Sequence, residues 1–354
     1  MNGYASKFGL GWPHEPQLRR VVIRPSQVKA FIFLKQQDGA AAVLPGADVR
    51  EISSMPRRLD ADQIARFRAE GFLPFDLELS ASEISAIRSL LTNLHHSKTG
   101  YKEGAAFDAI GPDDGSGPER FPQILHPRNF ASALIDTEYF RSAREIAEQI
   151  LGPHMRFKAD ISLMKPAQIG CATPWHQDEA FHDPRYEYNE LSFWLALQPV
   201  DERNSCMMYL PESHLGPVQE HGFPGGDARV HALECIADFD KDAAVVCALP
   251  AGGCVIHNQR TLHAAPANVS ESERLAYVLI FDTVPTPARS KRDFPWLRER
   301  RTARDERERN WRRNGGLLVH LWRQRRRMRV VSARTLLFDL RRAGRAVAKL
   351  VSAE

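Results

Sequence analysis

Pro174-Trp175-His176-Gln177-Asp178-Glu179 is the stretch on which the reading of this chain turns. In an extended strand, residues i and i+2 project from the same face. His176 and Asp178 can therefore aim a ring nitrogen and a carboxylate oxygen at one point. A second imidazole would complete a two-His-one-carboxylate triad, the arrangement that holds Fe(II) and leaves positions open for a chelating cosubstrate and dioxygen. An isolated His-x-Asp is weak evidence, since two polar side chains at a strand end have the same spelling. The surroundings must carry the argument. Short apolar runs of strand length flank the motif: Ile161–Met164, Leu191–Leu197, Cys206–Leu210, Ala243–Leu249, Gly253–Ile256 and Leu275–Phe281. Glycine- and proline-bearing turns such as Pro250-Ala251-Gly252-Gly253 separate them. Many short strands at this spacing predict a sandwich, barrel or jelly roll.

The residues before the strands predict helices. Asp60 with Gln63 three residues on, closed by Gly71, has the form of a capped helix. Ser80-Ala81-Ser82-Glu83 is a capping box, followed by Ile84, Ile87, Leu90, Leu91 and Leu94 at helical spacing. A third helix is expected near 138–151, with Phe140, Ala143, Ala147 and Ile150 on one face and Gly152-Pro153 ending it. The Gly-, Pro- and Asp-rich stretch Lys98–Pro122 is expected to be a long loop. Helices first and strands after give an α+β chain with one β core.

The second half of the constellation lies downstream. Ala248–His257 is expected to form strand, tight turn, strand, and His263 and Asn268 follow. Arg274 stands eleven residues after His263, at the start of the run Leu275–Phe281. A guanidinium fork entering a barrel from a strand start can clamp a carboxylate with two parallel hydrogen bonds. Taken alone, Arg274 is better explained as a solvated strand-end charge.

Together these residues resemble the phytanoyl-CoA dioxygenase family. The pattern is carried by Trp175-His176-Gln177-Asp178, Leu191–Leu197 with its Phe193-Trp194, Pro211-Glu212-Ser213-His214, Pro250-Ala251-Gly252-Gly253, and His263…Asn268…Arg274, in order from about Leu59 to Thr283. The resemblance implies a double-stranded β-helix (jelly-roll, cupin-like) core. It also implies an Fe(II)- and 2-oxoglutarate-dependent dioxygenase that hydroxylates a C–H bond and releases succinate and carbon dioxide. His176, Asp178 and His263 would be the metal ligands, with His257 a rival for the third place. The spacing from His263 to Asn268 and Arg274 matches the family and favours His263. Arg274 would hold the far carboxylate of 2-oxoglutarate, Trp194 would wall that pocket, and Gln123 is a weaker cosubstrate contact. Gln177 is a candidate for substrate. The chain departs from the family at Glu212 and Ser205, where glycines are usual, at Gly253, where an acidic residue is common, and at Ala265, which lacks a hydroxyl. The family spans acyl-CoA thioesters, amino-acid derivatives and natural-product intermediates, so a small-molecule or lipid-like acyl substrate is expected. The competing readings are a degenerate β-helix binding protein and a cupin metalloenzyme without 2-oxoglutarate.

Composition bounds the rest. The chain has 354 residues, 43% hydrophobic and 26% charged, which excludes collagen-like, fully disordered and disulfide-scaffold classes. No stretch approaches the ~20 apolar residues of a membrane span, and the first residues lack a secretory pattern. Five cysteines without a CxxC pair suit a reducing compartment, so a cytoplasmic location is expected. The net charge of +4 conceals an asymmetry. Residues 289–354 hold 21 Lys+Arg against 7 Asp+Glu, whereas residues 1–288 hold 27 against 37. The expected organisation is an extension over 1–55, the oxygenase domain over 56–290 and a basic helical tail over 291–354. Within the tail, Leu297–Arg313 has the charge spacing of a solvated helix. For the tail as a whole, a solvated or intramolecular helix ranks first, an anionic membrane surface second and nucleic acid third.

Overall fold

The computed structural model describes residues 19–22, 58–115, 117–169, 171–316 and 318. Most of the extension expected over 1–55 and most of the basic tail lie outside them. In chain order the elements are β1 (Arg19–Val22), α1 (Ala61–Glu70), β2 (Phe72–Asp76), α2 (Ala81–His96), β3 (Ala106–Asp108), β4 (Pro122–Leu125), α3 (Glu138–Leu151), β5 (Arg156–Lys165), β6 (Thr173–His176), β7 (Tyr186–Glu187), β8 (Glu190–Ala196), β9 (Met207–Tyr209), β10 (His221–Gly222), β11 (Glu234–Cys235), β12 (Val245–Ala248), β13 (Gly253–Asn258), β14 (His263–Ala265), β15 (Arg274–Asp282), β16 (Thr286–Pro287), α4 (Pro295–Glu299) and α5 (Ala303–Trp311). A seven-stranded sheet runs β2-β13-β8-β15-β5-β4-β3, and a five-stranded sheet runs β1-β12-β9-β14-β6. Apart from the parallel pair β1–β12, the neighbours in both sheets are antiparallel. The expected α+β double-stranded β-helix is what forms.

Strand alternation sorts the side chains into two cores. On β15, Leu275, Tyr277, Leu279 and Phe281 pack against the helices, with Phe67, Ile87, Leu91 and Tyr139. Ala276 and Val278 point the other way and pack with Met208, Tyr209 and Val246 of the facing sheet. Arg274 shares the parity of Ala276 and Val278 and so belongs to the inner face. The same rule sends Trp194 of β8 and Val255 of β13 inward, while Leu191, Phe193, Leu195, Cys254 and Ile256 face the helices. Fully burying each large apolar side chain contributes about 1.5–3 kcal/mol. A one-residue slip would exchange the two faces, so the register is strongly fixed.

The helix signals resolve in detail. Asp60 accepts from Gln63 N (2.7 Å), and Gln63 Oε1 accepts from Asp60 N (2.9 Å), which is a complete capping box. Gly71 ends α1 with φ 84°, and its carbonyl receives Asn258 N and Thr261 Oγ1. The box expected at Ser80 is only half made. Ser80 Oγ accepts from Glu83 N, but the Glu83 carboxylate reaches Tyr139 N (2.8 Å) and ties α2 to the start of α3. On α3 the buried stripe is Tyr139, Ser142, Ala143, Ile146 and Ala147, with Phe140 only partly covered. Lys98–Pro122 is not all loop, because Ala106–Asp108 pairs with Pro122–Leu125 as a hairpin. The carboxylate of Asp108 accepts from Ile110, Arg120 and Phe121 N and holds the hairpin's loop.

Candidate metal centre

Two neighbouring strands bring the histidines together. In the antiparallel pair β14–β6, His263 lies directly opposite His176. β6 ends at His176, yet Gln177 stays extended (φ −116°, ψ 132°), so the alternation continues one residue further and Asp178 returns to the same side. His176 Nε2 lies 3.8 Å and His263 Nε2 3.7 Å from Asp178 Oδ1. The three ligand atoms sit within 4.8 Å of one another, the one such cluster of His, Cys, Asp or Glu among the described residues.

Each imidazole is oriented by its own backbone. His176 Nδ1 lies 2.8 Å from Pro174 O, and His263 Nδ1 lies 2.9 Å from Thr261 O. A carbonyl can only accept, so Nδ1 carries the proton in both rings and the Nε2 lone pair faces inward. Burial disfavours the charged ring at both positions and, with Asp178 opposing, holds each below its ordinary range. Neutral imidazole is the metal-binding form. Burial alone would favour a protonated Asp178, but His263, His257 and His176 outweigh it and hold the carboxyl below the usual range.

The second oxygen of Asp178 is held separately. Its Oδ2 accepts from Ser192 Oγ (3.2 Å) and His257 Nε2 (3.3 Å). His257 Nδ1 then accepts from Tyr209 O–H (3.1 Å). Ser192 and His257 are paired across β8 and β13. His257 therefore backs the carboxylate on the oxygen that the other two histidines leave.

Arg274 is 1% exposed. Its Nη2 donates to Ser205 Oγ (3.3 Å), whose hydroxyl donates to Pro266 O (2.6 Å). Among the described residues, Nε and Nη1 are buried without a partner. Burial lowers its pKa to about 10. The guanidinium carbon lies 5.4 Å from the ring of Trp194, whose own Nε1 also lacks a partner. Ser205 stands in the left-handed region (φ 75°), as does Glu212 (φ 64°). These are two of the positions where the sequence replaces a customary glycine, and the conformation explains why glycine is usual there.

The triad, Arg274, Trp194 and Gln123 line one cavity of about 330 Å³. Much of its remaining wall is apolar, including Phe121, Phe181, Leu163, Leu233 and Val278. Gln177 does not reach it. That residue is 0% exposed, and its amide donates to Arg260 O (2.6 Å) and accepts from Gln219 N (2.7 Å). It bridges two loops rather than facing a ligand. The sequence reasoning also missed Ser192, Glu190 and Arg300 on the cavity wall. Ser192 sits on the run Leu191–Leu197 already marked as a strand, with Glu190 just before it, and period-2 parity extended by one residue could have flagged both; Arg300 had no signal.

Two nitrogen donors and one oxygen donor, already in their ligating forms, fit a divalent transition metal. The orphaned donors on Arg274 fit an acceptor such as a carboxylate, since buried N–H groups without partners are rare in native structures.

Comparison with known proteins agrees with this fit. The family model described as Phytanoyl-CoA dioxygenase (PhyH) matches residues 67–276. The crystal structure of EvdO2 from Micromonospora carbonacea var. aurantiaca complexed with 2-oxoglutarate is 32% identical and covers 68% of this chain and 97% of that one, with a TM-score of 0.58. Peroxisomal phytanoyl-CoA dioxygenase of Bos taurus is 28% identical over 151 residues, 40% of this chain and 45% of the relative. The chain thus spans under half the length of that relative. L-proline trans-4-hydroxylase of Streptomyces griseoviridis is 25% identical over 249 residues, 64% of this chain and 88% of the relative.

Proposed function

The chain belongs to the phytanoyl-CoA dioxygenase family of Fe(II)/2-oxoglutarate oxygenases, and from that premise we propose that it hydroxylates a C–H bond of a largely apolar small molecule or lipid-like acyl substrate. His176 Nε2, His263 Nε2 and Asp178 Oδ1 would hold Fe(II). Arg274 would receive the far carboxylate of 2-oxoglutarate. Dioxygen would be the oxidant: with iron bound, one oxygen atom would go to the substrate C–H bond and the other to 2-oxoglutarate, which supplies two electrons and leaves as succinate and carbon dioxide.

The chain's own residues do the positioning. Pro174 and Thr261 carbonyls fix the tautomers of the two histidines. Ser192 and His257 occupy Asp178 Oδ2, which leaves Oδ1 for the metal. Trp194 stacks against Arg274 and keeps water from it. The apolar wall orients substrate by shape and excludes solvent from the reacting end. An intact His-Asp-His set supports turnover over a degenerate binding protein.

The single observation that carries the reading is the Arg274 guanidinium, buried with two donors unpartnered in the cavity that holds the triad. The test is an anaerobic titration with Fe(II) and 2-oxoglutarate, followed in the visible spectrum. A weak charge-transfer band is expected in the parent and should be lost in Asp178→Ala and Arg274→Ala. Iron binding with no band on adding 2-oxoglutarate would sink the cosubstrate assignment and favour a cupin that works without it.

A further inference from the structure

The residues after the last strand of the core form a strap over the cavity. Arg292 Nη1 donates to Glu179 Oε1 (2.6 Å), and Trp296 Nε1 donates to Ala180 O (2.8 Å). Further on, Arg301 N donates to Ala228 O (2.8 Å), Arg304 Nε to Gly104 O (2.9 Å) and Arg307 Nη1 to Asp113 O (3.0 Å). The strap therefore runs from the loop after the metal motif to the loops on either side of β3. Between those anchors, Arg300 lines the cavity.

Arg300 is well covered, with its side chain 19% exposed, yet weakly engaged. Its one ion pair among the described residues is long, Nε to Asp305 Oδ2 at 3.7 Å, and Asp305 is shared with Arg304 at 3.1 Å. Among the described residues its guanidinium makes no hydrogen bond. Beside it on the wall is His231, set between the rings of Phe107 (4.5 Å) and Phe181 (5.8 Å), with a buried Nδ1 that has no partner among the described residues. Burial, then the charges of Arg304 and Arg300, hold this imidazole well below its ordinary range, so it is neutral.

The carboxylates on the wall do not balance this end. Asp178 belongs to the triad. Glu190 is held by Lys158 and by His182 (3.2 Å). What remains is an apolar chamber with spare hydrogen-bond donors on a cation at one side. A neutral substrate would leave that guanidinium covered, with only the long Asp305 contact to balance it, which is unfavourable.

Building on the oxygenase reading above, we propose that the substrate carries an anionic oxygen group on an apolar body, and that Arg300 of the C-terminal strap receives it. The strap thus supplies a specificity residue as well as a wall. Arg274 takes the cosubstrate's carboxylate, and Arg300 takes the substrate's.

The test compares 2-naphthoate with 2-naphthamide, two probes of one shape that differ in charge. Binding to the full chain is measured by calorimetry at fixed ionic strength, with Fe(II) and saturating 2-oxoglutarate under argon. A charge-assisted contact in a covered site predicts that naphthoate binds about tenfold or more tightly than the amide. Arg300→Gln should bring that ratio to about one, and Arg300→Lys should restore part of it. Arg298→Gln, an exposed residue paired with Asp293 at the same strap, should leave it unchanged. A ratio near one in the parent, no binding of naphthoate, an unchanged ratio in Arg300→Gln, or displacement of naphthoate by 2-oxoglutarate would each overturn the proposal. Failure of the 2-oxoglutarate band is a separate result. It would sink the oxygenase reading, while the naphthoate ratio, repeated without cosubstrate, would still judge Arg300.

Discussion

Replacing Arg274 by methionine should make the ligand-free protein more stable while abolishing its response to 2-oxoglutarate. Arg274 is fully buried, with one hydrogen bond and two orphaned donors. Burial lowers its pKa from the ordinary guanidinium range to about 10. One pKa unit corresponds to about 1.4 kcal/mol, so holding the charge costs the fold roughly 3 kcal/mol. The sign follows from linkage. A base whose folded pKa is depressed is protonated in both states at neutral pH, so the cost is fully present there. It falls away only as the pH rises from about 10 towards the ordinary guanidinium range. Methionine removes that cost. It also loses the Ser205 hydrogen bond and the contact with Trp194, each worth roughly 1 kcal/mol, and it leaves a small void. The net gain is at most about 1 kcal/mol once the void is counted. For a domain of this size that is a rise in Tm of roughly 2–4 °C.

The parent should behave in the opposite way when cosubstrate is added. With Fe(II) present anaerobically, 2-oxoglutarate at a hundred times its Kd stabilises by about 2.7 kcal/mol, or roughly 5–10 °C. The variant should gain nothing. Thermal denaturation of both proteins, with and without 2-oxoglutarate, should therefore show the order of stability cross over. A less stable ligand-free variant would refute the desolvation argument. A variant still stabilised by 2-oxoglutarate would refute the role of Arg274.

Three further outcomes follow from the same geometry. His257→Phe removes the donor to Asp178 Oδ2, and loss of such a supporting contact should weaken Fe(II) binding about 10–100-fold by equilibrium titration, with the fold intact by circular dichroism. Ser205→Gly relieves the left-handed backbone but frees Arg274 Nη2, so Tm should hold or rise slightly while 2-oxoglutarate affinity falls about fivefold. Gln177→Ala breaks a buried bridge between Arg260 O and Gln219 N and should lower unfolding free energy by about 1–3 kcal/mol in urea, with the 2-oxoglutarate band unmoved; a lost band would return this residue to the site.

The parts of the site that rest on short-range rules were legible. The spacing of His176 and Asp178 relies on strand alternation, and the inward face of Arg274 on the same parity. The cap at Asp60 and the stop at Gly71 are local as well. What was not legible depends on who stands across a gap in sequence. Ser80-Ala81-Ser82-Glu83 spells a capping box, but Tyr139 N, 56 residues away, competes for the carboxylate and wins. Gln177 sits inside the motif, yet the rule that sends its two neighbours inward sends it outward. Alternation read one step further would have excluded it from the pocket. At Ser205 and Glu212 the departure from glycine was visible, but not its consequence. Only the backbone angle shows the strain, and only the fold shows that the Ser205 hydroxyl reaches Arg274.

The basic tail shows the limit of charge pattern as evidence. Leu297–Arg313 has the spacing of a solvated helix, and a charge run cannot by itself be told from a docked one. The reason is the arginine side chain, whose stem and planar head cover aromatic surface while its N–H groups reach carbonyls. Arg307 lies 3.9 Å over Tyr101 and Arg304 5.1 Å over Phe107, and Phe294 and Trp296 are buried between loops. Glu179 receives Arg292 and Asp113 receives Arg307, and both carboxylates belong to the net-negative body. Part of the charge asymmetry is thus settled within the molecule, along a strap that needs no outside partner to hold it. An arginine held on such a strap and still short of hydrogen bonds, as Arg300 is, has its use on the cavity side. That is why the strap's residues belong with the site and not with the tail.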